Sequence, residues 1–148
     1  MADPVSIIAS AITIAATGAQ ISLVLFSVSQ TWKNAPAEIA EVAEELSTLS
    51  NSLMMLADAI KMHQKLCKPE LFRQTQSILS RFIQVEEELK GLTKGQGRKK
   101  LDRLRWFWRA PKAKILSKKI ESIKSALALE LNIIQLAREQ MSKDEVEP

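Results

Sequence analysis

The chain reads as an all-α protein, an antiparallel four-helix bundle with a basic, tryptophan-containing connection before its last helix. Two features carry this expectation. Turn formers are scarce: four glycines and five prolines in 148 residues, where a β-sandwich needs a turn about every 8–12 residues. Apolar residues also recur in alternating steps of three and four over three long segments, the period of left-handed helix packing. A net charge of +4, with 46% hydrophobic and 26% charged residues, suits a folded chain, and the length suits one domain. The bundle is expected over residues 1–141, with an acidic stretch at 142–148 that is disordered or begins a linker. A long coiled coil between chains is the alternative. Proline-bearing links at 33–36 and 66–69 favour hairpins within one chain.

The prolines divide the chain. Pro4, Pro36, Pro69 and Pro111 each precede an apolar-periodic run, where a missing N–H costs nothing because the first helical turn has no internal acceptor for it. Asp3 and Asn34 are candidate caps for the first two helices. Gly91, Gly95 and Gly97 should end the third helix and open a flexible connection, a basic hinge over 94–110.

The first helix is the informative element. From Pro4 to Trp32 there are 29 residues without a charge, a span of about 43 Å at ~1.5 Å per residue against about 30 Å of bilayer hydrocarbon. It is not a secretory signal, because Asp3 rather than Lys or Arg precedes the apolar stretch. Twelve Val, Ile, Leu, Phe or Trp residues stand with five alanines and ten Ser, Thr or Gln, which leaves spontaneous insertion near balance. Ser6, Ser10, Thr13, Thr17, Gln20, Ser27 and Thr31 form one stripe, broken at Val24, and Ile7, Ala11, Ile14, Gly18, Ile21, Leu25 and Val28 form its neighbour. Ala11, Ala15 and Ala19 add small residues every four positions, a spacing that lets helices approach closely in a membrane. A central helix of a soluble bundle has much the same composition, so both readings stand.

The next helices follow from their spacing. In the second, Ile39, Val42, Leu46, Leu49, Leu53, Leu56 and Ile60 lie on one face, continued by His63 and Cys67. The third uses Leu71, Thr75, Ile78, Phe82, Val85, Leu89 and Leu92, with Thr75 as its one polar interruption. Leu116, Ile120, Ile123, Leu127, Leu131 and Ile134 define the last.

Residues 94–119 hold eleven basic residues and one acid, Asp102, so this segment is +10 and the remainder −6. Within it Arg98, Lys99, Lys100, Arg103, Arg105, Trp106, Trp108 and Arg109 are the candidate contacts with anionic lipid or an acidic partner. Aromatic rings settle at headgroup depth and cations are held there by anionic lipid. Stacking on single-stranded nucleic acid is the rival use, but no nucleic-acid-binding motif accompanies the charge. A purely structural use is also open: Trp106 and Trp108 plug the connection onto the bundle, with the cations opposite Glu38, Glu41, Glu44 and Glu45. Leu101–Arg109 is long enough to form a short helix of its own.

Catalysis is not expected. A single cysteine, Cys67, and a single histidine, His63, cannot close a thiolate or imidazole metal site. Four apart on a helix they would share a face, formally a nucleophile with its base, but both continue an apolar stripe and read as helix-end packing. The segment Gly95–Lys100 lacks the spacing and the Ser/Thr of a phosphate loop.

Residues 1–10, the small-residue helix after them, Leu104-Arg105-Trp106 and the stretch from Ser117 to Leu127 together resemble the N-terminal domain of fungal STAND (NLR-like) receptors, in the HeLo-like group related to the HET-S and MLKL four-helix bundles. The resemblance covers roughly 1–140. It implies an effector domain with no enzymatic activity and no cofactor or metal, which self-associates, releases its first helix into a membrane and kills the cell. Carried over, the inserting helix is Val5–Val28, with Ile7, Ala11, Ile14, Ala15, Gly18, Ala19, Ile21, Leu25 and Val28 on it. The implied partners are further copies of the chain, anionic membrane lipids, and a nucleotide-binding STAND module in cis or in trans; nucleic acid is not an expected partner. The implied location is cytoplasmic with conditional relocation to membrane. Two departures stand out. The glycine zipper of some relatives is mostly alanine here, with only Gly18, and no nucleotide-binding module is present, so the chain reads as a fragment or as a free-standing effector. A helical protein-interaction module that never enters lipid is the second functional reading.

Overall fold

The computed structural model describes residues 3–95, 97–109 and 111–146. Among these it contains five α-helices and no strand: α1 Pro4–Thr31, α2 Ala37–Met62, α3 Pro69–Thr93, α4 Arg98–Arg109 and α5 Lys112–Val146, with a 3₁₀ turn at Gln64–Leu66. α1 packs on α2 and α3, and α5 closes the opposite side against the same two helices. Contacts between Ser22 and Ala43 and between Gly18 and Ser50 set α1 antiparallel to α2. The pairs Thr75–Glu130 and Lys119–Glu88 do the same for α3 and α5.

The expected apolar seams form the core. Every apolar position named above in α2 is buried, from Ile39 to Ile60, as are Ile78, Phe82, Val85 and Leu89 of α3 and Leu116, Ile120, Ile123, Leu127 and Ile134 of α5. Leu92 and Leu131 are half-buried at the edges. Each such Leu, Ile or Phe contributes roughly 1.5–3 kcal/mol on leaving water, which is why the step of three and four decides the faces.

The helix ends follow the prolines in part. Pro4 and Pro69 begin α1 and α3, and Asp3 caps α1 by accepting from the Val5 N–H at 3.4 Å. Asn34 does not cap α2. It occupies the left-handed region at φ 67°, which Asn tolerates, inside a turn where the Ala35 N–H donates to the Trp32 carbonyl at 3.2 Å. Pro36 takes the cap position and has no side chain to offer.

Three expectations on chain ends are corrected. Gly91 lies inside α3, which continues to Thr93; Gly95 (φ 81°) and Gly97 (φ 79°) make the break, because glycine enters that region without a Cβ clash. The 94–110 segment is not a flexible hinge but mostly helix α4, whose Leu101, Leu104, Phe107 and Trp108 repeat at three and four and give it a docking face. The acidic stretch is not disordered through 142–146, where α5 runs on to Val146. Met1, Ala2, Gln96, Ala110, Glu147 and Pro148 lie outside the described residues.

Candidate functional site

α1 has two faces. Ile7, Ala11, Ile14, Gly18, Ile21, Leu25 and Val28, the apolar stripe read from the sequence, are buried together with Ala15. Ala19 is exposed, so the close approach of backbones uses Ala11, Ala15 and Gly18 rather than an alanine run ending at Ala19. The polar stripe, including its Val24 break, faces outward, with Thr17 half-buried. Val5, Ile12 and Leu23 are exposed beside it, Leu23 at 69%. Only 44% of the helix's most apolar 18-residue window is buried, yet from Pro4 to Thr31 the exposed side carries no charge. A surface helix of a water-exposed bundle ordinarily places Lys and Glu there.

Gly18 sits where three helices meet. A Cβ at Gly18 would lie 2.3 Å from Ser50 Oγ of α2 and 3.2 Å from Glu86 Oε2 of α3. Any larger residue here would have to displace the Ser50 side chain as α1 approaches its two neighbours. Ser50 Oγ and Glu86 Oε2 are buried without a hydrogen-bond partner among the described residues, while the Ser22 hydroxyl donates to the Ala43 carbonyl at 2.6 Å. Burial pushes the Glu86 carboxyl from an ordinary 4.5 to about 7, against an opposing pull from Lys90.

A second buried glutamate joins α5 to α3. Thr75 Oγ1 is 2.8 Å from both the Leu71 carbonyl and Glu130 Oε2. The Thr75 hydroxyl donates to one or the other of these acceptors. Burial likewise pushes Glu130 up to about 7 despite the Thr75 contact. Neither glutamate is legible in the sequence, because a Glu on a helix edge looks the same whether it faces water or a neighbour; the polar Thr75 within an apolar stripe is the one signal pointing to Glu130.

His63 and Cys67 do not share a helix face. α2 stops at Met62, His63 is its C-cap, and the thiol of Cys67 donates to the His63 carbonyl at 3.3 Å, not to the imidazole. Burial, then the nearby Glu130, push the Cys67 thiol above its ordinary range, which disfavours the thiolate a nucleophile needs. Among the described residues no cluster of three His, Cys, Asp or Glu suited to a metal is present.

α4 lies beside the C-terminal end of α1. Leu104 and Phe107 are buried, Trp108 is half-buried edge-on to Phe107, and Trp106 is 63% exposed. The plug is thus Leu104 with Phe107, and Trp106 points away. Arg103 is occupied: its guanidinium donates to the Gly91 carbonyl at 3.0 Å and to the Lys94 carbonyl, closing the end of α3. The Arg105 guanidinium lies 5.1 Å from the Trp32 ring and 3.9 Å from Asp102, and Lys112 Nζ lies 5.1 Å from Trp106. Arg98, Lys99 and Arg109 are exposed, and Lys100 is half-buried. Among the described residues, Glu38, Glu41, Glu44 and Glu45 make no ion pair with α4; Glu38 lines a cleft with Trp108, Arg109, Lys114 and Lys118, whereas Glu41, Glu44 and Glu45 share one with Lys124. The structure brings Arg105, Trp108 and Arg109 against Trp32 and Lys33, a meeting the sequence reading missed.

Comparison of the chain with protein-family models, curated proteins and solved structures finds no match.

Proposed function

We propose that the chain is a conditional membrane-active effector: a HeLo-like four-helix bundle of α1, α2, α3 and α5, strapped by α4, that releases α1 into lipid when copies of the chain cluster. The uncharged outer face of α1 carries this reading. A helix that stays in the bundle gains from charge on an exposed face, whereas a helix that must also cross hydrocarbon loses about 2.5–3.5 kcal/mol for each Lys or Arg at its centre. α1 avoids charge over its whole length. The exposed cations Arg98, Lys99 and Arg109, together with the outward Trp106, supply the anionic-lipid contact at the end where α1 would leave. On this reading the protein is cytoplasmic until triggered, acts with a nucleotide-binding receptor module in cis or in trans, and is not an enzyme.

Ala16→Arg tests the reading without disturbing the core, since Ala16 is exposed near the middle of α1. Fused to an inducible oligomerisation domain, the natural chain should leak anionic vesicles, and Ala16→Arg should keep its thermal stability and lose leakage. Equal leakage from both, or leakage from neither, removes the proposal. A second reading is favoured by one feature: Met55 and Met62 of α2 and Leu129, Ile133 and Leu136 of α5 are exposed large apolar residues, of the kind a helical protein-interaction module presents. That reading expects the clustered chain to form a soluble complex indifferent to lipid.

A further inference from the structure

The five-residue link between α1 and α2 folds against α4 to make a cleft of about 290 Å³, lined by Trp32, Lys33, Asn34, Pro36, Arg105, Trp108 and Arg109. Three cationic residues from two distant parts of the chain, Lys33, Arg105 and Arg109, line it. Among the described residues Lys33 and Arg109 have no ion-pair partner, and Arg105 has only the 3.9 Å contact with exposed Asp102. Three cationic residues lining one cleft favour an anionic occupant; Glu38, in the first turn of α2, lines the neighbouring cleft with Trp108 and Arg109. Its walls are aromatic: Trp32 is 8% exposed and Trp108 is half-buried. Trp32 holds the Arg105 guanidinium at 5.1 Å, which fixes a forked donor that matches phosphate oxygens. Pro36 opens α2 with no side-chain cap, and Glu38 in that first turn offsets the positive potential of its N–H groups.

We infer that this cleft is a binding site for a phosphate monoester or diphosphate group, held by Lys33, Arg105 and Arg109 between the two indoles. The chemistry selects the ligand. Three cations call for a group with two or more negative charges, and the volume, just below the roughly 300–1,000 Å³ range of ligand pockets, admits a phosphate with a short attachment but not a polymer strand. The inference rests on the reading of α4 as a lipid-facing element and sharpens it, because a diffuse basic surface recognises charge alone whereas the cleft recognises one headgroup. Occupied, the site ties the end of α1 to α4.

The test uses the full chain with two probes. Inorganic pyrophosphate, titrated by calorimetry and by NMR of the tryptophan indole N–H groups, represents the free ligand. Phosphatidylcholine vesicles carrying phosphatidic acid, a monoester, are compared with vesicles carrying phosphatidylserine, a diester. Saturable pyrophosphate binding that moves the Trp32 and Trp108 signals but not Trp106 supports the site with a soluble ligand. Preference for phosphatidic acid without pyrophosphate binding supports it with a headgroup. In either case Lys33→Ala/Arg109→Ala should weaken binding by roughly tenfold or more, the loss expected of one charge-assisted hydrogen bond. Lys61→Ala/Lys65→Ala removes equal charge at the far end of α2 and should leave binding within about twofold. Equal losses in the two pairs, or no saturable binding to either probe, overturns the inference. Binding to both probes is read on the unclustered chain, so the absence of saturable binding to either one beside intact vesicle leakage refutes the cleft alone, and the reverse result refutes the release of α1 alone.

Discussion

Raising the pH from 5 to 8 should loosen this fold, and the two buried glutamates say by how much. Glu86 and Glu130 are 3% and 1% exposed, and burial raises each carboxyl from 4.5 to about 7. The folded chain therefore keeps protons that the unfolded chain has lost between those values. By linkage, their stabilising contribution is complete below about pH 4.5 and disappears as pH rises through about 7. At about 1.4 kcal/mol per tenfold change in proton affinity, each residue accounts for roughly 3 kcal/mol as an upper figure, a large share of a typical 5–15 kcal/mol. Around Glu86 the facing groups are Gly18 of α1, Ser50 of α2 and Lys90 of α3; around Glu130 they are Thr75 and Cys67. Glu45, raised by burial and by its acidic neighbours Glu121 and Glu41, adds a smaller slope of the same sign. Urea unfolding at pH 5, 6, 7 and 8 should show stability falling across the series. Glu86→Gln and Glu130→Gln should each flatten part of that fall and gain stability at pH 8. The Glu86 variant should also slow hydrogen exchange in α1 at pH 8, because its carboxyl abuts Gly18. A wild-type stability flat or rising over this range, or Gln variants with an unchanged slope, would show that these carboxyls are not buried as described.

Two further outcomes follow from packing. Gly18→Ala adds helix propensity worth up to about 1 kcal/mol but drives a methyl into Ser50 Oγ, so it should destabilise the fold. Ser50→Ala, which removes an unpartnered buried hydroxyl, should be close to neutral, and the double variant should recover about 1–2 kcal/mol relative to Gly18→Ala, a coupling that a denaturation cycle reads directly. At α4, Phe107→Ala should cost about 3–5 kcal/mol because Phe107 is 2% exposed. Trp106→Ala should change stability by less than about 0.5 kcal/mol while weakening partition onto anionic vesicles, as thermal unfolding and vesicle sedimentation can compare.

The all-helical class, the inner stripe of α1 and the apolar seams of α2, α3 and α5 were legible from spacing alone, because a step of three and four buries one face whatever the partner is. So was the Asp3 cap, a contact within one turn. Spacing also suggested a short helix at Leu101–Arg109, although the surrounding glycines and charges pointed to a loose hinge; the docking of Leu104 and Phe107 decided in favour of the helix. What the sequence could not reveal are the meetings between segments distant along the chain. Glu86 and Ser50 are unremarkable helix residues until α1 closes on them at Gly18. Arg103 reads as a lipid contact until the end of α3 turns back beneath it. Lys33 and Arg109 stand 76 positions apart and share a cleft only because α4 folds across the α1–α2 link. Local periodicity sets which face of a helix is dry. Which charges and polar atoms end up facing one another depends on how the helices are stacked, and that is a property of the tertiary structure alone.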